Sequence, residues 1–167
     1  DFDKAIEILR EKGLAKAAKK ASRIAAEGIV CIEVCDACGA AAIVEVNSET
    51  DFVAKNADFQ KFASDVAKVV IAENPADLDA LKAAKMGDVT VEGALQEKVL
   101  TIGENLQIRR FERYDESTVN VGYTHMGGVI GVLVGLEVSD NLKGNPAVIE
   151  LGKDIGMQAA AMRPLFM

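Results

Sequence analysis

Long apolar runs are missing from this sequence. None approaches the ~20 residues a helix needs to cross a bilayer, and the opening residues do not read as a secretory leader. Positive charge is in deficit too: 19 Lys and Arg against 26 Asp and Glu leave a net charge of −7, with a pI near 4.8. That balance argues against a general nucleic-acid binder, which carries a basic stripe, and favours a protein partner. Cysteine is scarce and odd in number, three in all, which makes no disulfide framework and suggests a reducing compartment. The expectation is a cytoplasmic protein. Catalytic motifs are absent as well: there is no phosphate-binding Gly-x-x-x-x-Gly-Lys-Ser/Thr, no His-Glu-x-x-His and no Gly-x-Ser-x-Gly. Gly127, Gly128, Gly131 and Gly135 lack the strand–turn–helix context of a dinucleotide site and read as hairpin and packing residues. The lone histidine, His125, has no serine or cysteine nucleophile with an orienting acid to serve. The residues therefore offer an enzyme little support.

What is present is an ordinary globular composition. Half of the 167 residues are apolar and 27% are charged, enough for one substantial core. Asp1 to Lys12 reads as a helix with Phe2, Ile6 and Leu9 on one face and Gly13 at its end. Leu14 to Ala26 reads as a second helix, with a basic face of Lys16, Lys19, Lys20 and Arg23. That face is either a solvated linker or a contact for RNA or an acidic partner. Ile29–Cys35 and Ala40–Asn47 form a hairpin turning at Asp36-Ala37-Cys38-Gly39. Cys35-x-x-Cys38 has ligand spacing, but a closed structural zinc site wants four ligands, and only Cys31 and the distant His125 could add to it. The cysteines are read as small core or turn residues without a metal.

Three helices follow. The first carries Phe59, Phe62, Val66, Val69 and Val70 at helical spacing behind an Asn56-Ala57-Asp58 cap. The second spans Asp77 to Met86 with Leu78 and Leu81 inward, and the third places Val91, Leu95, Val99 and Ile102 on one face before Gly103 stops it. Leu106 to Tyr114 is a strand whose phase changes near Arg109-Arg110, as a bulge would cause. Val119, Val121 and Tyr123 alternate in the next strand, and a turn at Met126-Gly127-Gly128 leads to Val129–Val138, apolar enough for a central, doubly covered strand. Asn145-Pro146 opens a last helix with Ile149, Gly152, Ile155, Ala159 and Met162 inward, ended by Pro164. Two hairpins separated by helices predict an α+β fold, an antiparallel sheet of about five strands with helices mainly on one face, preceded by a helical N-terminal segment.

The stretch Asn47-Ser48-Glu49-Thr50-Asp51-Phe52-Val53-Ala54-Lys55-Asn56 joins an apolar strand to the Phe59 helix. Two readings of it are open. Phe52 lies seven residues before Phe59 and could extend the helix's apolar stripe into the core. Alternatively Phe52 and Asp51 project together from a connector held between rigid elements, an aromatic anchor beside a carboxylate. His125 is similarly double, either a residue that closes its hairpin or part of an interface.

The segment Glu45-Val-Asn-Ser-Glu-Thr-Asp-Phe-Val-Ala-Lys-Asn56 resembles the signature of the elongation factor Ts family, guanine-nucleotide exchange factors for the GTPase elongation factor Tu, over twelve consecutive positions. Leu14–Gly28, Ile102–Arg110 and Gly122–Val134 are also similar to stretches of that family. The resemblance implies that residues 1–13 are the last helix of a truncated ubiquitin-associated-like module, 14–28 a helical linker, and 29–167 the first part of the family's core, which continues beyond this chain. It implies elongation factor Tu as partner, with Thr50, Asp51, Phe52, Val53 and His125 as partner-binding residues, and no cofactor of the chain's own. An RNA- or ribosome-associated module using the lysine-rich helix is the alternative.

Overall fold

The computed structural model describes residues 18–164 together with positions 13 and 15, so the expected helix over Asp1–Lys12 lies outside it. At its centre is a three-stranded antiparallel sheet in the order β1 (Glu27–Val34), β2 (Ala41–Ser48), β5 (Gln107–Tyr114). On one face lie α1 (Asp51–Ala54), α2 (Ala57–Glu73), α3 (Leu78–Ala83) and α4 (Val91–Ile102), with a miniature hairpin of β3 (Lys85–Met86) and β4 (Val89–Thr90) between the last two. Against β1 on the other face packs a separate hairpin of β6 (Val119–His125) and β7 (Ile130–Leu136), itself covered by α5 (Pro146–Met162). The molecule is α+β and antiparallel throughout its ladders.

The helices form where periodicity and caps agree. Asn56 accepts hydrogen bonds from the Asp58 and Phe59 amides, and Asn74 closes α2 in the left-handed conformation. Phe59, Phe62, Val66 and Val70 are buried against Val44 and Val46 of β2 and Leu95 of α4. Truncating a side chain as enclosed as Phe59 costs ~3–5 kcal/mol. In β2 and β5 the pairs Glu45–Arg110 and Val46–Ile108 leave Arg109 as the extra residue of a bulge, which accounts for the change of phase. Both Arg109 and Arg110 then reach Glu45, at 3.7 and 2.7 Å.

The strands do not join into one sheet. The second hairpin stacks face to face on β1 because its inner face is nearly flat: a Cβ on Gly122 would lie 2.7 Å from Ile32, and one on Gly131 2.5 Å from Val30. Strand β7 is thus covered from both sides, as its apolar run suggests, yet it belongs to a two-stranded ribbon and is not the centre of a larger sheet. The same narrowness corrects the reading of α5. Gly152 and Gly156 press on Val121 and Tyr123, but Ile155 and Met162 stand 38% and 69% exposed, because a ribbon two strands wide cannot cover a whole helix face. Near the N-terminus the helix ends at Lys20, short of Ala26, and the strand begins at Glu27. There Arg23 is drawn away by bonds to Asn105 and Glu49.

Close packing at Gly152 sets a measurable asymmetry. An added Cβ would meet Val121 at 2.6 Å, whereas at Gly93 in α4 the nearest atom is 3.4 Å away. Alanine gains up to ~1 kcal/mol of helix propensity at either position, and overpacking costs ~1–3 kcal/mol. Denaturant melts should show Gly152→Ala destabilised and Gly93→Ala neutral or stabilised; equal shifts would contradict the packing described.

Candidate functional site

Strand β2 ends at Ser48, and within two residues the chain enters α1, a single turn over Asp51–Ala54. Thr50 is its N-cap: its hydroxyl accepts from the Val53 amide at 3.4 Å and donates to Glu104 Oε1 at 2.7 Å. The amides of Glu49 and Thr50 both donate to Glu104 Oε2, at 3.0 Å each. In return the Asn105 amide donates to Glu49 Oε1 at 2.6 Å, and the Asn105 side chain donates to the Arg23 carbonyl at 2.7 Å. Ser48 adds a hydroxyl bond to the Thr50 carbonyl at 2.9 Å. Behind the turn, Ala54 is buried and Val53 packs against the core.

From this braced turn Asp51 and Phe52 face outward. Phe52 is 81% exposed, while Phe59, seven residues on, is fully buried. The core reading of Phe52 fails for a local reason. Lys55 closes α1, and Asn56, extended at φ −72° and ψ 129°, starts α2 afresh. The helical phase is reset, so a spacing of seven no longer places the two rings on one stripe. Asp51 is paired with Lys55 at 2.7 Å, and this hydrogen bond and charge hold its carboxyl below the usual range.

His125 sits at the end of β6, its Nδ1 3.2 Å from the Tyr123 hydroxyl and its ring stacked on that of Tyr123 with centroids 6.3 Å apart. A tight turn follows, in which Met126, Gly127 and Gly128 all have positive φ. The tip docks closely on β1 at Gly128, where an added Cβ would lie 3.1 Å from the Val30 carbonyl oxygen, while Met126 and Val129 are 70% and 61% exposed. Among the described residues no hydrogen bond or ion pair joins His125 to the α1 turn. The two sites nonetheless emerge at one end of the sheet. Ser48 pairs with Glu27 at the start of β1, and the tip rests on Ile29 and Val30, only two or three residues along, ~7–10 Å.

Sequence reasoning missed Glu104, Asn105 and the exposed Met126. A polar pair directly after the Gly103 stop was a faint signal for the first two; an apolar residue in a glycine turn was none for the third. Cys35 and Cys38 meet in the β1–β2 turn, and among the described residues no three His, Cys, Asp or Glu side chains gather as a metal site would require. Cys31 packs against the core, where burial raises its thiol to about 11. Cys35 accepts from the Cys38 amide at 3.1 Å, and its thiol is lowered by hydrogen bonds from Cys38.

A family model described as elongation factor TS matches residues 49–167, which begin with this connector. The chain belongs to the elongation factor Ts family. It is 48% identical over 168 residues to elongation factor Ts of Clostridioides difficile (strain 630), covering 99% of this chain and 54% of that relative. With elongation factor Ts of Clostridium perfringens (strain SM101 / Type A) the identity is also 48%, over 169 residues, 100% of this chain and 55% of the relative. Elongation factor Ts of Alkalilimnicola ehrlichii is 44% identical over 164 residues, 98% and 53% of the two chains. The chain thus spans about half the length of the curated relatives it matches.

Two outcomes follow from this geometry. Phe52→Ala should leave stability within ~0.5 kcal/mol, as exposed positions do; a collapsed melting point would return Phe52 to the core. At pH 8 a thiol reagent should label Cys35 well before Cys31, the thiolate being the reactive form, and mass mapping of the first adduct checks the order.

Proposed function

We propose that this chain binds the GTPase elongation factor Tu and promotes release of its GDP, acting as a guanine-nucleotide exchange factor in translation elongation in the cytoplasm. The observation that carries the proposal is an exposed aromatic, Phe52, beside an exposed carboxylate, Asp51, on a turn braced by hydrogen bonds. An isolated exposed Phe is unremarkable, but one held on a stiff turn is a suitable anchor for a partner's pocket. Family membership supports the choice of partner.

Under this proposal Phe52 enters an apolar pocket between helices of the GTPase. Asp51, a carboxylate paired with Lys55, comes beside the Mg²⁺ and phosphate site. The Mg²⁺ that bridges to the phosphates is disturbed, and affinity for GDP falls. The coupling is reciprocal: GDP weakens the complex by the factor by which the complex weakens GDP, and GTP completes the cycle by displacing the exchange factor. Thr50 and Val53 hold the turn, and His125 supplies a second contact from the hairpin tip. The chain itself carries out no bond chemistry and uses no cofactor. The RNA reading draws less support, because Lys20 donates to the Val99 carbonyl at 3.4 Å and Arg23 reaches Glu49 at 3.5 Å, engaging part of the basic face within the chain.

Stopped-flow release of a fluorescent GDP from elongation factor Tu tests the proposal. Phe52→Ala should weaken the productive complex by ~2–4 kcal/mol, the cost of truncating an interface anchor, or roughly 30-fold to 1,000-fold. Asp51→Ala should slow GDP release more than it weakens binding. An unchanged release rate with Phe52→Ala would refute the assignment.

A further inference from the structure

Phe52 makes so few contacts of its own that its direction must be set upstream. Helix α1 has only four residues, and a single turn has no stability by itself, since nucleation costs more than one hydrogen bond returns. What holds it is Glu104. Both carboxylate oxygens of Glu104 are engaged by the residues that launch α1: Oε2 by the Glu49 and Thr50 amides at 3.0 Å each, Oε1 by the Thr50 hydroxyl at 2.7 Å. That same hydroxyl caps the turn at the Val53 amide, 3.4 Å away. Glu104 is itself fixed. It follows Gly103, which ends α4 in the left-handed conformation, and precedes the buried Asn105 and Leu106. Asn105 closes the loop by bonding Glu49 at 2.6 Å.

We infer that Glu104 is a positioning residue for nucleotide exchange: its carboxylate fixes the angle at which Asp51 and Phe52 leave the surface, and it acts through these two residues, not by touching the GTPase. This inference rests on the exchange reading above. Its oxygens are already occupied within the chain, which leaves Phe52 and Asp51 as the groups through which a change at 104 is transmitted.

The test uses this chain with Glu104→Ala and Glu104→Gln, each alone and combined with Asp51→Ala and Phe52→Ala together, read by amide hydrogen exchange and by GDP release from elongation factor Tu. Glu104→Ala should raise exchange at residues 49–54 while α2 keeps its protection. It should slow stimulated GDP release roughly 10-fold to 100-fold, the scale of losses from small misplacement. Glu104→Gln should recover release to within about threefold, because its carbonyl oxygen can accept both amides and its NH₂ can donate to the Thr50 hydroxyl oxygen. In the background lacking both Phe52 and Asp51 side chains Glu104→Ala should change the residual release by less than about twofold, the non-additivity expected of residues that act as one unit. Equal losses in both backgrounds, or unchanged amide exchange at 49–54, would overturn the inference while leaving the exchange activity standing. If the unmodified chain fails to stimulate GDP release, the exchange reading falls, and with it the functional half of the inference; the amide-exchange arm still decides whether Glu104 holds the turn. Should Glu104→Ala melt below the assay temperature, Thr50→Val, which removes the hydroxyl bond to Glu104 and the cap on the Val53 amide but leaves the Glu104 carboxylate on the two backbone amides, must slow release in the same direction.

Discussion

Strand β2 is paired on both edges, to β1 on one side and β5 on the other. A strand in that position cannot slide by one residue without turning its whole buried set to the opposite face. Ala42, Val44 and Val46 lie in the core under α2, so the register of β2 is locked, and with it the point at which the chain leaves the sheet at Ser48. Everything at the candidate site depends on that lock. The α1 turn starts from a fixed exit, and Glu104 meets it from the loop that leads into β5, the strand on the other edge.

An exposed phenylalanine forgoes the ~1.5–3 kcal/mol that burial of its ring would contribute. Local chain energetics therefore do nothing to keep Phe52 in water, and a looser connector would be free to fold it back. The hydrogen bonds around Thr50 oppose that. Three end on one carboxylate, and bonds to a charged acceptor are about twice as strong as neutral ones. The turn is stiff where the side chain is unsupported, and that stiffness is the condition for an anchor that loses little freedom on docking.

The hairpin of β6 and β7 illustrates a related trade. Glycines on its inner face let it lie flat on β1, and glycines of α5 let the helix lie close on its outer face. These contacts bring the His125 tip to the same end of the sheet as α1. They also leave Leu151, Ile155, Met157 and Met162 of α5 exposed, because the ribbon beneath is narrower than the helix face it supports.

Much of this was legible in the residues. Phe59, Phe62, Val66 and Val70 announced a buried helix face, Asn56 its cap, Gly103 a stop, and the broken alternation at Arg109 a bulge. Each of these depends on neighbours within a turn or two of the chain. Whether the strands joined one sheet was not legible, because edge pairing and face stacking both bury the same apolar residues, and glycine spacing alone does not choose between them. The sequence by itself determined the α+β class, the helices α2, α4 and α5, and the connector that marks the family. Only the tertiary structure decided which way Phe52 points. A cap at Asn56 resets the helical phase, and a carboxylate 54 residues along the chain from Thr50 supplies the bonds that hold the turn; periodicity carries no record of a partner brought near by folding.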